Sequence, residues 1–160
     1  MRKKARYVTL VFLVVSTFVG CSNQPFYTNE KRLADNVNSY NLNNEEQTVD
    51  EDAYYGDLEF EGIAEIWRSD DAVGEIKVNA TLKTSSGKTK LIYIDANSNV
   101  KNIIEVDADN DDGENKIENY VINIKEGEEA SIKLVSDEMS KINVELEISD
   151  GTFNTIGLWK

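Results

Sequence analysis

Strict alternation of apolar and polar residues marks two segments of the chain as strands with one buried face. In residues 75–84 an apolar side chain stands at every second position, and residues 141–149 repeat the arrangement. Successive side chains of a strand point to opposite faces, so a period of two places all the apolar groups on one side. The two apolar sets are Ile76, Val78, Ala80, Leu82, Ile142, Val144, Leu146 and Ile148. We therefore expect each segment to pack one face on a core and to leave the other in solvent.

Further strands are predicted between and around these two. The opening strand, residues 58–67, contains Gly62, where the alternation slips and a β-bulge is expected. The other predicted strands are residues 89–95, 100–106, 117–125, 130–135 and 152–159. Clusters of Ser, Gly, Asp and Asn separate them and have the residue preferences of tight turns. Seven or eight short strands without a convincing helix predict an all-β fold. We expect an antiparallel β-sandwich over residues 56–160, with a small barrel as the rival architecture.

The first 20 residues have the layout of a secretory signal peptide. Four basic residues fall within the first six positions, and an uncharged, largely apolar run follows over residues 7–20. A basic region followed by such a run is typical of a signal peptide. The run has 14 residues, whereas a helix that crosses the ~30 Å hydrocarbon layer needs about 20. Residues 1–20 are therefore predicted to be removed on secretion.

The end of that run, Phe18-Val19-Gly20-Cys21, resembles the lipobox of bacterial lipoproteins. In that family the cysteine thiol is alkylated with a diacylglyceryl group, and signal peptidase II then cleaves before the cysteine. The resemblance implies cleavage between Gly20 and Cys21, and a lipid anchor in the cell membrane on its extracytoplasmic face. Two acyl chains make a durable anchor, whereas one chain holds a protein only reversibly. The alternative is an ordinary signal peptide with Cys21 left as a free thiol.

Residues 22–55 differ from the strands that follow. Asparagine is frequent, five acidic residues fall between positions 45 and 52, and no period of 2 or 3.6 persists. So little apolar surface does not offset the entropy cost of ordering, and we expect residues 21–55 to be a lipidated N-terminus followed by a flexible polar linker. The alternative is a short docked helix, since Leu33, Val37 and Tyr40 stand at helical spacing.

Composition narrows the classes of function. The chain has 17 basic and 30 acidic residues, a net charge of -13, one cysteine and no histidine. Without histidine, histidine-based triads and nearly all zinc or copper sites are excluded. An acidic surface repels phosphate, so nucleic acid is not an expected partner. The sequence contains no Gly-rich phosphate loop and no nucleophile elbow, so we do not expect an enzyme. Richness in Asn, Ile and Lys is typical of proteins from AT-rich genomes, and it suggests a low-GC Gram-positive source.

One acidic stretch has sharper chemistry. Asp107, Asp109, Asp111 and Glu118 fall at positions 1, 3, 5 and 12 of a calcium-binding EF-hand loop. The glycine of that loop belongs at position 6, but Gly113 falls at position 7, and the flanking segments are predicted strands. We therefore interpret the stretch as an acidic turn, with a calcium site outside the EF-hand family as the alternative. No other cofactor is predicted.

Aromatic side chains are the other binding candidates. Trp67 lies beside Arg68 at a strand end and Trp159 lies next to the last residue, so both are predicted to be partly exposed anchors for a sugar or a protein partner. Further candidates, with ordinary core positions as the alternative, are Tyr54, Tyr55, Tyr93, Tyr120 and Phe153.

These observations favour a membrane-anchored extracytoplasmic lipoprotein that acts as a non-catalytic binding module. Its partner would be another envelope protein or a wall polymer. The domain broadly resembles the immunoglobulin-like modules of bacterial surface lipoproteins, and this resemblance of architecture assigns no site. The alternative function is a calcium-responsive accessory or structural lipoprotein that acts as a spacer.

Overall fold

The computed structural model describes residues 26–110 and 113–157. A 3₁₀ turn (Phe26–Thr28) and a short helix α1 (Glu30–Ala34) precede the strands. The strands are β1 (Ser39–Val49), β2 (Ala53–Arg68), β3 (Gly74–Thr84), β4 (Lys88–Ile94), β5 (Val100–Asp107), β6 (Glu114–Ile124), β7 (Ser131–Ile148) and β8 (Thr152–Phe153). The prediction of an all-β, antiparallel, sandwich-like fold is confirmed.

The strands form two layers that belong to one continuous sheet. The long strands β2 and β7 pair with each other along most of their length and pass through both layers. Layer A has the order β1, β2, β7, β3, β6 and uses the first part of β2 and the last part of β7. Layer B adds β4 and β5 to the first part of β7, and β8 to the end of β2. Strands that switch layers at bulges are a known way to make the corner of a sandwich.

The corner lies where β2 and β7 change layer. The register shifts between Phe60 and Gly62 on β2, opposite a shift from Ser140 to Ser136 on β7. Gly62 has φ +117°, and a Cβ there would lie 2.3 Å from the carbonyl oxygen of Ser39 on β1. Only glycine tolerates both this conformation and this close approach. The bulge predicted at Gly62 is therefore confirmed, and the structure shows that it is the point at which the sheet folds over.

Buried hydroxyls tie the corner together. The Oγ1 of Thr84 lies 2.6 Å from the Oγ of Ser140, and Thr89 donates to the Oγ of Ser136 at 3.2 Å. Thr84 also donates to the carbonyl oxygen of Ser86 at 2.9 Å. Buried polar groups are tolerated when each finds a partner. The cluster therefore joins the β3–β4 turn to the bulge of β7 without leaving an unsatisfied hydroxyl.

The main core fills the space between the layers. The alternating apolar residues predicted on residues 75–84 and 141–149 all point into it, and each is at most 3% exposed. Trp67, Tyr54 and Phe60 of β2 are fully buried in the same cluster. Burial of a side chain of this size stabilises the fold by about 1.5–3 kcal/mol. The inner faces of both layers thus supply the main stabilising surface.

One strand replaces two of the predicted ones. Residues 130–135 and 141–149 were expected as separate strands, whereas both lie in β7. Ser136 and Ser140 flank the bulge between them, so the polar interruption of the pattern marks a bend rather than a turn. The count of eight strands is reached because β1 is an additional strand.

The expected flexible linker over residues 21–55 is wrong for its described part. Residues 39–49 form β1, which pairs with β2 along its whole length. Ser39 lies opposite Ile63 at one end, and Val49 lies opposite Tyr54 at the other. Much of β1 is exposed on both faces, so it has no alternating pattern to predict it. Backbone pairing to β2, rather than apolar burial, orders this strand.

Residues 26–35 also belong to the fold, and we call them the cover. Helix α1 is capped by Asn29, whose Oδ1 accepts from the backbone N of Arg32 at 3.2 Å. Tyr27 and Leu33 pack on the outer face of layer B in a second apolar cluster with Ile63, Ile92, Ile94 and Val135. The docked-helix alternative is therefore correct for Leu33, whereas Val37 is 68% exposed and Tyr40 lies in β1.

Two buried lysines fasten the cover. The Nζ of Lys90 donates to the carbonyl oxygen of Tyr27 at 2.8 Å and lies 4.2 Å from the centroid of its ring. The Nζ of Lys133 donates to the carbonyl oxygens of Leu33 at 3.1 Å and Asp35 at 2.5 Å. Burial lowers the pKa of both amines, and nearby carboxylates oppose that effect. The cover thus supplies the oxygen acceptors that make two buried ammonium groups tolerable.

Candidate functional site

The free edges of the two layers meet along a seam between β5 and β6. Among the described residues β5 pairs only with β4, and β6 only with β3. Near the corner the seam is bridged by Asn115, whose Nδ2 donates to the carbonyl oxygen of Glu105 at 3.1 Å. At the other end a cavity of about 260 Å³ opens, which we call the seam cleft. Its lining residues are Tyr93, Asp95, Ala96, Asn97, Lys101, Tyr120, Val121, Ile122, Asn123, Lys125 and Glu128.

Two turns shape the mouth of the seam cleft. In the β4–β5 turn the Oδ1 of Asp95 accepts from the backbone N of Asn97 and of Asn99, each at 3.0 Å. In the β6–β7 turn the backbone N of Lys125 donates to the Oε2 of Glu128 at 3.1 Å. Side-chain-to-backbone hydrogen bonds of this kind fix a turn without regular secondary structure. Both carboxylates are therefore committed to holding the mouth in shape.

Two tyrosines form the inner wall of the seam cleft. Tyr93 is only 4% exposed and Tyr120 is half-buried. Neither hydroxyl has a hydrogen-bond partner among the described residues. In that part of the chain, every fully buried side-chain nitrogen or oxygen does have a partner. The hydroxyl of Tyr93 must therefore be open to the cleft that its ring lines. Burial raises the pKa of Tyr93, with smaller contributions from Asp95 and Glu128, so the phenol stays protonated near neutral pH.

The other partly or fully buried tyrosines behave differently. Tyr54 donates to the Oε1 of Gln47 at 2.7 Å, and Tyr27 donates to the Oε1 of Glu105 at 3.1 Å. Tyr40 donates to the carbonyl oxygen of Gly157. Buried phenols are normally paired in this way. The unpaired hydroxyls of the described half-buried and buried tyrosines are thus concentrated at the seam cleft.

The charged groups at the seam cleft are paired with one another. Lys101 places its Nζ 3.8 Å from the Oδ2 of Asp95 and 5.8 Å from the centroid of the Tyr93 ring. Lys125 lies 3.7 Å from the Oε1 of Glu128. Burial acts to raise the pKa of Asp95, but hydrogen bonds from Asn99 and Asn97 hold it below its usual value. Two cations and two anions therefore leave no uncompensated charge.

A larger notch lies along the edge of β2 that faces away from β7. It has a volume of about 510 Å³ and lies between β1 and β8, which both pair along this edge. Glu65 on its wall pairs with Arg68 at 2.7 Å, and the backbone N of Glu65 donates to the Oδ1 of Asn38. The described wall ends at Gly157, and the predicted anchor Trp159 lies outside the described residues.

The prediction that Trp67 is an exposed binding aromatic is wrong. Its side chain is fully buried, and its Nε1 donates to the carbonyl oxygen of Asp150 at 3.0 Å. Gly151 leaves room for the indole, since a Cβ there would lie 2.5 Å from the ring. The strand end is covered because the β7–β8 turn folds over it, which position in the sequence does not indicate.

Two of the acidic side chains proposed for calcium, Asp107 and Glu118, have other partners. Asp107 accepts from Asn110 at 2.7 Å and pairs with Lys88 at 3.2 Å. Glu118 pairs with Lys116 at 2.9 Å on β6. The backbone N of Asp109 donates to the Oδ1 of Asp107 at 3.1 Å, and Asp111 lies outside the described residues. Within residues 26–110 and 113–157, no group of three or more His, Cys, Asp or Glu side chains is placed to hold a metal ion.

Cys21 and the predicted signal peptide lie outside the described residues. Within the part of the chain that is described, no helix is long and apolar enough to cross a membrane.

Comparisons with known proteins do not assign the chain to a family. No family model matches, and no curated protein matches. One solved structure, described as the crystal structure of CapF with inhibitor 3-isopropenyl-tropolone, has a TM-score of 0.25 and 11% sequence identity. The likeness covers 67% of this chain and 31% of that one. A TM-score this low carries no argument about fold or function.

Part of the seam cleft is visible in the sequence. Tyr93 and Tyr120 were among the candidate aromatics, but nothing in the sequence paired them. Lys101, Asn97 and Asn123 were missed because their turn and edge positions are typical of ordinary surface residues. The two buried lysines of layer B were also missed. A signal for them exists, since Leu91 to Ile94 form an apolar run that indicates a strand covered on both faces.

Proposed function

We propose that the protein is a membrane-anchored extracytoplasmic lipoprotein that acts as a non-catalytic binding module, with the seam cleft as its ligand site. The lipobox-like sequence ending at Cys21 supports the anchor. The observation that carries the proposal is the docking of the cover, because Phe26 already packs against the second apolar cluster only five residues after Cys21.

This spacing determines how a lipid on Cys21 would hold the domain. Five residues of fully extended chain span at most about 18 Å. The long linker that was expected to lift the domain away from the membrane is taken up by the cover and β1. The domain would therefore be held close to the lipid surface, which favours a module that binds near the membrane over a spacer.

The chemistry of the cleft supports binding rather than catalysis. Its two carboxylates accept backbone hydrogen bonds in the turns and pair with lysines, and the pKa of Asp95 is lowered. A general acid needs a raised pKa and a free position facing the substrate. The unpaired groups of the cleft are hydroxyls and amides, which orient a ligand.

Substitution of the acceptor cysteine tests the anchor. In the Cys21→Ala variant, expressed in a Gram-positive host, we expect either release of the mature chain into the medium or accumulation of uncleaved precursor. Cell fractionation and the intact mass of the N-terminus measure both. The matched control is Gly20→Ala, which keeps a small residue before the cysteine and should remain lipidated and in the membrane. Cys21→Ala protein that is cleaved at residue 21 and stays in the membrane would contradict the proposal.

A pull-down tests the binding function. The wild-type chain, solubilised from membranes, should retain a stoichiometric envelope protein or wall polymer. A chain that is lipidated normally but retains neither would act as a spacer.

A further inference from the structure

We propose that the seam cleft binds a neutral saccharide unit. This inference rests on the proposed function as a binding module and names the class of ligand. The geometry that points to it is the placement of two unpartnered phenol hydroxyls, the side-chain amide of Asn97 and the unpaired edge of β6 around one cavity whose charges are already compensated.

The hydroxyl of Tyr93 is the central observation. The ring is held in the main core, so the position of the oxygen is fixed by packing. It has no partner among the described residues, while the buried Tyr54 and Tyr27 are both paired. A rigidly placed phenol that stays protonated offers one donor and an acceptor at a fixed point. Ligand pockets use a few polar groups of this kind to orient what they bind.

The remaining groups indicate a polyhydroxylated ligand. Tyr120 presents a second hydroxyl with no partner among the described residues, and no side-chain hydrogen bond within that part of the chain occupies the amide of Asn97. Amides and phenols both donate and accept, which matches the mixed donors and acceptors of sugar hydroxyls. An anion or a cation would instead need an unpaired countercharge, and Lys101 and Lys125 are already matched by Asp95 and Glu128.

The size and the apolar contact agree with one sugar ring. The cavity of about 260 Å³ is smaller than the ~300–1,000 Å³ typical of drug-sized ligands. Val121, on the outer side of the β6 edge that lines it, is 42% exposed and offers an apolar surface to the C–H face of a ring that projects from the cleft. The cleft is also open at its mouth, so the ring can be one unit of a longer glycan such as a wall polymer.

The test is a binding assay with the full-length lipidated chain. It is solubilised in lauryldimethylamine oxide, because detergents with sugar head groups would compete. Isothermal titration calorimetry measures binding of neutral oligosaccharides built from glucose, galactose, mannose and N-acetylglucosamine. Each titration is repeated in the presence of tetraglycine, a neutral peptide, as a competitor. At least one saccharide should bind with Kd below about 1 mM, and tetraglycine should not compete.

Variants connect that binding to the cleft. Tyr93→Phe removes only the unpartnered hydroxyl, so it should fold normally and weaken saccharide binding about three- to tenfold. Asn97→Ala, an exposed position whose turn hydrogen bond is made by its backbone N, should also weaken it. Tyr55→Phe is the matched control, since this tyrosine is 39% exposed on β2 outside the cleft and should not change Kd. Unchanged affinity in Tyr93→Phe, competition by tetraglycine, or no binding of any saccharide would overturn the inference. None of these results bears on the Cys21→Ala test, so the anchor stands or fails separately.

Discussion

The outer faces of the two layers differ although the same strands run through both. On layer B the cover lies over the sheet, and residues 132–136 of β7 are buried without interruption. On layer A the outer face meets solvent, and residues 141–148 of the same strand alternate between exposed or half-buried and fully buried side chains. The pattern of a strand therefore reports how many of its faces are covered, and the change along β7 marks the boundary of the cover.

Lysines show the energetic side of this difference. On layer A, Lys83 pairs with Glu114 at 3.1 Å and Lys116 with Glu118, all four side chains being about half exposed or more. Exposed pairs of this kind contribute little to stability, because solvent screens their attraction and ordering two long side chains costs entropy. On layer B, Lys90 and Lys133 are at most 6% exposed and depend on backbone carbonyls of the cover. A lysine on the covered face is thus part of the fold, whereas one on the open face is a solvated charge.

The largest expected effect is loss of the apolar contact of the cover. Leu33 is 1% exposed, so Leu33→Ala should lower the free energy of unfolding by about 2–4 kcal/mol. Chemical denaturation measures this, and hydrogen exchange at Ile92 and Ile94 should rise at the same time. Val37→Ala, two residues after the cover and 68% exposed, should change stability by less than about 0.5 kcal/mol. Equal effects of the two variants would show that the cover does not stabilise layer B.

The second test compares lysines of the two faces. Lys133→Ala leaves the carbonyl oxygens of Leu33 and Asp35 without this donor and removes a buried stem, so we expect a loss of about 2–3 kcal/mol. Lys77→Ala on β3 of layer A, which is exposed, should cost less than about 0.5 kcal/mol. Thermal and chemical unfolding give both values. If Lys133→Ala is as mild as Lys77→Ala, the distinction between the two faces fails.

The smallest effect is expected when the stability costs of losing two tyrosine hydroxyls are compared. One hydroxyl, on Tyr54 of layer A, is hydrogen-bonded, and the other, on Tyr93 of layer B, is not. Tyr54→Phe removes the hydrogen bond to Gln47 and should cost about 1 kcal/mol at pH 7. Tyr93→Phe removes no protein hydrogen bond and should be neutral within about 0.5 kcal/mol. A cost for Tyr93→Phe equal to that for Tyr54→Phe would mean that its hydroxyl has a structural role.

The buried phenol of Tyr54 also predicts that the stability of the fold depends on pH. Burial raises the pKa of Tyr54 in the folded state above its ordinary value of 10.0, with a smaller contribution from Glu45. The unfolded chain therefore ionises first, and the stability that Tyr54 contributes is present below pH 10 and is lost as the pH rises through the folded pKa. The unfolding curves of wild type and Tyr54→Phe should converge above about pH 10. A constant difference from pH 7 to 11 would contradict this assignment.

Much of the fold could be predicted because local patterns determined it. The alternation in residues 75–84 and 141–149, the slip at Gly62 and the turn residues between strands all report backbone geometry or one-sided burial, which act over a few residues. The cover and β1 could not be predicted by the same argument. Their order comes from strand pairing and from contacts with Lys90 and Lys133, which lie far away along the chain.

The candidate site, like the cover and β1, could not be predicted from local sequence patterns. Tyr93 and Tyr120 are recognisable as strand aromatics, but their side chains share a cleft only because the sheet folds at Gly62 and brings the edge of β6 to β4 and β5. Trp67 is the opposite case. Its position at a strand end suggests exposure, whereas in the fold the β7–β8 turn covers its side chain. Neither outcome depends on the local sequence around the aromatic residue.

The sequence by itself determined the all-β class, most of the strands and the bulge, because hydrophobic periodicity and glycine conformation are local properties. It also supplies the lipobox-like segment on which the proposed anchor rests. Only the tertiary structure decided that residues 26–49 belong to the domain, that β7 serves both layers, and that two tyrosine hydroxyls meet at an open seam. These features depend on which distant surfaces are brought into contact, and the free energy of such contacts is set by the folded arrangement as a whole.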